Sequence, residues 1–128
     1  MKVVSHRIVA AALAMGLFAS TAFAGNKSVY EVTINTVGAK PNATGDLGYV
    51  RNTADPYQYI GCEATATLGN CYAVTSAGVS KTCTTTDAAL IELIRSIKGD
   101  SNLYFSWSST DGSCKNIRVR NDSLAAPK

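Results

Sequence analysis

Histidine is nearly absent from this chain: its 128 residues include one, His6, inside a leader covering residues 1–24. The leader has the layout of an export signal. Basic Lys2 and Arg7 come before an apolar run from Ile8, and Ala22-Phe23-Ala24 forms a small-residue exit before Gly25. Removing that signal leaves residues 25–128 without any histidine, so Ser-His-Asp, Cys-His and histidine–metal chemistry have no residues to work with. A C-x-x-C pair is also missing, which argues against thioredoxin-type exchange and a zinc site. There is no glycine-rich phosphate loop ending in Lys-Ser or Lys-Thr, no dinucleotide fingerprint, and no D-x-[DN]-x-[DN]-G calcium loop with its distant Glu. The leader's run of about a dozen apolar residues is short of the roughly 20 that a membrane span needs, and nothing later rivals it. Gly25, not cysteine, follows the exit, so no lipid anchor is expected. These absences predict no cofactor, no metal and no membrane span.

The leader takes two of the twelve basic residues, leaving ten against nine acids and a formal charge of +1 instead of +3. A balance so close to neutral does not call for nucleic acid. The remaining length suits a single small globular domain, residues 25–128. The exit looks bacterial; in a eukaryote Asn26, Asn42 and Asn121 would each head a glycosylation sequon.

Four cysteines, Cys62, Cys71, Cys83 and Cys114, make an even count in a short exported chain and predict two disulfides. Three pairings are open. Cys62–Cys71 with Cys83–Cys114 is favoured, because the first two flank a hairpin and Cys83 stands before a helix leading to the terminal strands. The longer bridge would close a loop of about 30 residues and contribute on the order of 3 kcal/mol.

Side chains alternate over residues 30–36, with Tyr30, Val32 and Ile34 on one side, as in a half-buried strand. Residues 38–48 read as a turn or long loop, residues 47–52 as a second short strand, and Asp55-Pro56 as a turn. Residues 57–67 and 71–75 form a hairpin around Leu68-Gly69-Asn70, followed by a strand over 79–82. One helix is expected over residues 87–98, with Leu90, Leu93, Ile94 and Ile97 on its apolar stripe, Thr86 as its cap and Gly99 as a left-handed stop. In the last hairpin, keeping the arginines outside puts Phe105 opposite Val119 and Trp107 opposite Ile117, with a three-residue loop at Asp111, Gly112 and Ser113. Gly112 is then a bulge residue, and on the outer face Tyr104 meets Arg120 and Ser106 meets Arg118. The fold class is α+β: an antiparallel meander of about five to seven short strands, one covering helix, and disulfides.

Tyr59-Ile60-Gly61-Cys62, the helix, Asp100 through Trp107, Cys114 and the closing Pro127-Lys128 together resemble short exported bacterial proteins with paired cysteines. The resemblance implies one domain, bacterial export and paired cysteines; it carries no activity.

The sequence offers one recognition surface. Lys115, Arg118 and Arg120, interleaved with Ile117 and Val119 and faced by Tyr104, suit an anionic glycan, a lipid head group or an acidic protein. An ordinary solvated strand face has the same composition. Tyr57 and Tyr59 form a second aromatic stripe, which sheet packing also explains. The expected function is therefore a non-catalytic binding or interaction module, periplasmic or extracellular. Two alternatives remain. A hydrolase or toxin would need two carboxylates drawn together from Glu31, Asp46, Asp55, Glu63, Asp87, Glu92, Asp100, Asp111 and Asp122. A cell-surface structural subunit would need an open strand edge.

Overall fold

The computed structural model describes residues 29–123. The expected export signal, the Asn26 sequon and the closing Pro127-Lys128 lie outside them. The elements run β1 (Thr33–Asn35), β2 (Asn42–Asp46), α1 (Leu47–Asn52), β3 (Tyr59–Ala64), β4 (Gly69–Val74), β5 (Ser80–Thr85), α2 (Ala88–Arg95), β6 (Asn102–Trp107) and β7 (Cys114–Arg120). Seven antiparallel strands and α2 confirm the α+β class, but the strands divide into two sheets, β1-β2-β6-β7 and β3-β4-β5. A single meander cannot form because β2 pairs with β6 from the far end of the chain.

The central strand β2 replaces the expected loop. Its sequence, Asn-Ala-Thr-Gly-Asp, turns Ala43 and Gly45 toward the core and buries Asp46 on the other face, so it carries no apolar signature. Small size is required there: a Cβ on Gly45 would lie 3.2 Å from Ile60 and 3.3 Å from Val32 side-chain atoms. The strand expected over 47–52 is instead α1, with Val50 as its buried contact.

The inward residues of both sheets share one buried cluster. Leu103 and Phe105 are fully enclosed, with Ala43, Trp107 and Ile117 from one sheet and Ile60, Cys71, Ala73 and Cys83 from the other. The helix α2 covers this core with Ile91 and Ile94, while Leu93, placed on the apolar stripe from sequence, is 39% exposed. Its start differs as well. Asp87, not Thr86, is the cap, accepting the N–H groups of Ala89 and Leu90 at 2.8 and 3.3 Å. The helix ends at Arg95, with Ser96 capping it in a right-handed conformation. Gly99 supplies no left-handed stop, since positive φ occurs only at Gly38, Gly78 and Gly112 among the described residues.

Both favoured disulfides are present. Cys62 and Cys71 lie directly opposite on β3 and β4, with Cα atoms 4.0 Å apart. Cys83–Cys114 joins β5 to β7 and so ties the two sheets, beside a lone parallel bridge from Thr84 to Ser113. Among the described residues, no helix is long and apolar enough to cross a membrane.

Candidate functional site

The terminal hairpin has a register two residues away from the expected one. Phe105 faces Ile117, Leu103 faces Val119, Tyr104 faces Arg118 and Ser106 faces Asn116. The faces survive this change because side chains alternate with a period of two. What moves is the pairing on the outer surface: Tyr104 meets Arg118, not Arg120, and Ser106 meets Asn116, not Arg118.

The connection between β6 and β7 is also longer than three residues. Gly112 N–H donates to the Ser108 carbonyl and Ser108 N–H to that of Ser113, and Gly112 takes φ 70° at the turn. The bulge lies between Ser106 and Trp107: Ser106 pairs with Asn116 but Trp107 with Cys114, leaving Lys115 as the extra residue. A bulge breaks alternation and re-aims a side chain. Consequently Lys115 and Asn116, neighbours in sequence, both line the same groove.

This groove lies at one end of the four-stranded sheet's outer face and encloses about 540 Å³. That volume falls within the roughly 300–1,000 Å³ of small-molecule sites. Tyr104, Ser106 and Trp107 form its floor, Ser108, Ser109 and Thr110 one rim, and Ala39 and Lys40 the other. The two rims are held together because Trp107 N–H donates to the Pro41 carbonyl at 3.2 Å, while the Asn42 side-chain amide donates to the Lys40 carbonyl at 3.1 Å.

Charge in the groove has one sign: Lys40 and Lys115 line it and no carboxylate does. Beside it the Arg118 guanidinium lies 4.8 Å from the centre of the Tyr104 ring. A cation held by an aromatic face is positioned without being neutralised. Among the described residues, ion pairs engage Arg95 with Glu92 and Arg120 with Asp122, and none engages Lys40, Lys115 or Arg118. Thus of the four surface residues singled out from sequence, the structure brings Tyr104, Lys115 and Arg118 together. Arg120 sits away from them, opposite Asn102 and half-buried.

Asp111 fixes the rim. Its carboxylate accepts the Ser113 hydroxyl at 2.7 Å and the Ser113 N–H at 2.9 Å. Together with the Ser108 hydroxyl and the charge on Lys115, these bonds hold its pKa down to about 2, although the group is fully exposed. A depressed carboxylate stabilises the fold above its unfolded pKa of about 3.9 and loses that contribution as pH falls through the folded value. The rim contribution is therefore expected to be intact above pH 4 and lost near pH 2. Carboxyl-carbon NMR should place the Asp111 midpoint near 2; a midpoint near 4 would show that these bonds do not persist in solution.

Other candidates show less convergence. Tyr57 and Tyr59 are exposed, and the Tyr59 ring packs against Tyr72 at 5.5 Å between centroids. A second, mostly apolar cavity of about 240 Å³ beside α1 is lined by Leu47, Val50, Arg51, Gln58, Tyr59 and Ile60, again without a carboxylate. The sulfurs of Cys71, Cys83 and Cys114 lie within 4.8 Å of one another, but all are committed to disulfides. Sequence reasoning missed Lys40, Trp107, the serine-rich rim and Asn116, since only the β2–β6 pairing and the bulge assemble them. No protein-family model matches the chain, and comparison with curated proteins and with solved structures likewise finds no match.

Proposed function

We infer that this protein is an exported binding module, periplasmic or extracellular, that acts without catalysis and engages an anionic partner through the groove at Tyr104 and Lys115. The observation carrying this reading is a groove of ligand size lined by two lysines and no acid. Arg118 adds a third cation beside it, and none of the three is in an ion pair among the described residues. A two-carboxylate hydrolase finds no support in either cavity described above. The first strand, β1, where strand addition was expected, has only three residues and is a poor template for it. Two disulfides and the leader support an oxidising compartment outside the cytoplasm.

The test compares the oxidised protein with a Lys115→Glu/Arg118→Glu variant in pull-downs from cell-envelope and culture-medium extracts. Both side chains belong to exposed residues, so the variant should keep the thermal midpoint of the parent. A partner retained by the parent and lost by the variant supports the reading. Equal retention, or none by either protein, overturns it.

A further inference from the structure

We propose that the ligand is an acidic polysaccharide, specifically a chain of uronate sugars, bound in the groove and across the outer face of the four-stranded sheet. This rests on the groove being the binding site and adds the ligand's chemistry. Beside the groove the outer face carries two rows of polar side chains, uncharged apart from Arg118 and accessible apart from Ser106, which is buried. Asn35, Asn42, Ser106 and Asn116 stand opposite one another across all four strands, forming a single row that runs into the groove. The adjoining row is Thr33, Thr44, Tyr104 and Arg118. Neighbouring strands are about 4.8 Å apart. That repeat is comparable with the length of one pyranose unit, so consecutive sugars meet consecutive strands.

The polar groups suit sugar hydroxyls. Amides and hydroxyls both donate and accept, as a polyol requires. Lys40 and Lys115 at the end of the row, with Arg118 held on Tyr104, supply the charge that separates a uronate chain from a neutral one. The same inventory disfavours the other anionic partners. Recognition of an anionic bilayer by a polybasic cluster takes about four to eight Lys or Arg, more than are present here. Protein hot spots are anchored by large side chains entering desolvated pockets. Here the large floor residue Trp107 is already 8% exposed and packed in the core.

The experiment is an amide NMR titration of the whole oxidised mature protein with hexasaccharides of galacturonate and of mannuronate. Maltohexaose, hexaglutamate and phosphatidylglycerol vesicles serve as comparison arms. Binding of at least one uronate hexamer is expected, with shifts at Lys115, Asn116 and Tyr104 and an affinity at least about tenfold above every comparison arm. Lys40→Gln/Lys115→Gln should weaken the uronate by about tenfold and flatten its salt dependence. Asn116→Ala should weaken the uronate and leave residual hexaglutamate binding unchanged, a split that general charge attraction would not produce. Absence of binding by both uronates overturns the proposal, as does equal or tighter binding of maltohexaose, hexaglutamate or vesicles. If the groove-dependent pull-down still succeeds, the binding-module reading stands and only the sugar assignment falls; if that fails too, both fall.

Discussion

Replacing Cys83 and Cys114 together by alanine is expected to lower the unfolding free energy by roughly 3–4 kcal/mol, against about 2.5 kcal/mol for the Cys62/Cys71 pair. The difference follows from loop length, since the bridges span 31 and 9 residues. A second reason is structural. Cys62–Cys71 spans two strands already paired along six residues, whereas Cys83–Cys114 joins separate sheets that, among the described residues, share a common core but only one isolated backbone bridge. Both of its cysteines are buried, so the alanines also leave unfilled space in the core. For a domain of this size about 4–8 °C of thermal midpoint is lost per kcal/mol. Denaturant melts of the two double variants decide the matter. Equal losses, or a larger loss for Cys62/Cys71, would show that the longer bridge is not the principal tie.

Asp46→Ala should cost a comparable amount, roughly 3–5 kcal/mol. Asp46 is completely buried, and its carboxylate ties β6 to the segment before β1. One oxygen accepts the Asn102 side-chain amide at 2.7 Å and the other the Tyr30 N–H at 3.2 Å, while Asp46 N–H donates to the Tyr30 carbonyl at 2.9 Å. Hydrogen bonds to a charged acceptor are worth about 1.5–3 kcal/mol each, and alanine would leave the 7%-exposed Asn102 amide without its partner. Asn102→Ala removes only one of the bonds and should cost less. Hydrogen exchange gives a local readout: the alanine at position 46 should expose the backbone around Tyr30 before the rest of the sheet opens. An Asp46→Ala protein with unchanged stability would mean that the buried carboxylate contributes no net stabilisation.

From sequence, Asp46 is only a loop acid, which shows where local reading fails. The elements legible in the chain are those whose signal is local. Helix α2 follows from apolar spacing, and the β3–β4 hairpin with its disulfide follows from two β-rich runs, although its turn lies at residues 65–68 and not at Leu68-Gly69-Asn70, of which Gly69 and Asn70 belong to β4. The bridge from Cys83 follows from the order of its neighbours. Strand β2 is illegible because its inward positions must be small against Val32 and Ile60, so burial leaves no hydrophobic trace. The hairpin register slips by two because any even shift preserves the faces. Pattern alone cannot choose between such registers, whereas the placement of Cys114 opposite Trp107 belongs to the three-dimensional assembly. The candidate site shares this division. Tyr104, Lys115 and Arg118 were visible as an outward patch on one hairpin, but the groove needs Lys40 from the other end of the chain and a bulge that no alternation rule anticipates.

The pairing of Asn42 with Ser106 also imposes a sequence of events in time. Everything between these positions, including the whole three-stranded sheet and α2, must be looped out before the groove's rims meet. Long-range pairing is intrinsically slow because loop-closure entropy is lost before the contacts form. The three-stranded sheet is local by comparison and has its own cross-strand bridge. A chain emerging from its amino end can therefore assemble that sheet while β2 still waits for β6. The groove arrives last: its two rims meet only once β2 and β6 are in one chain and paired.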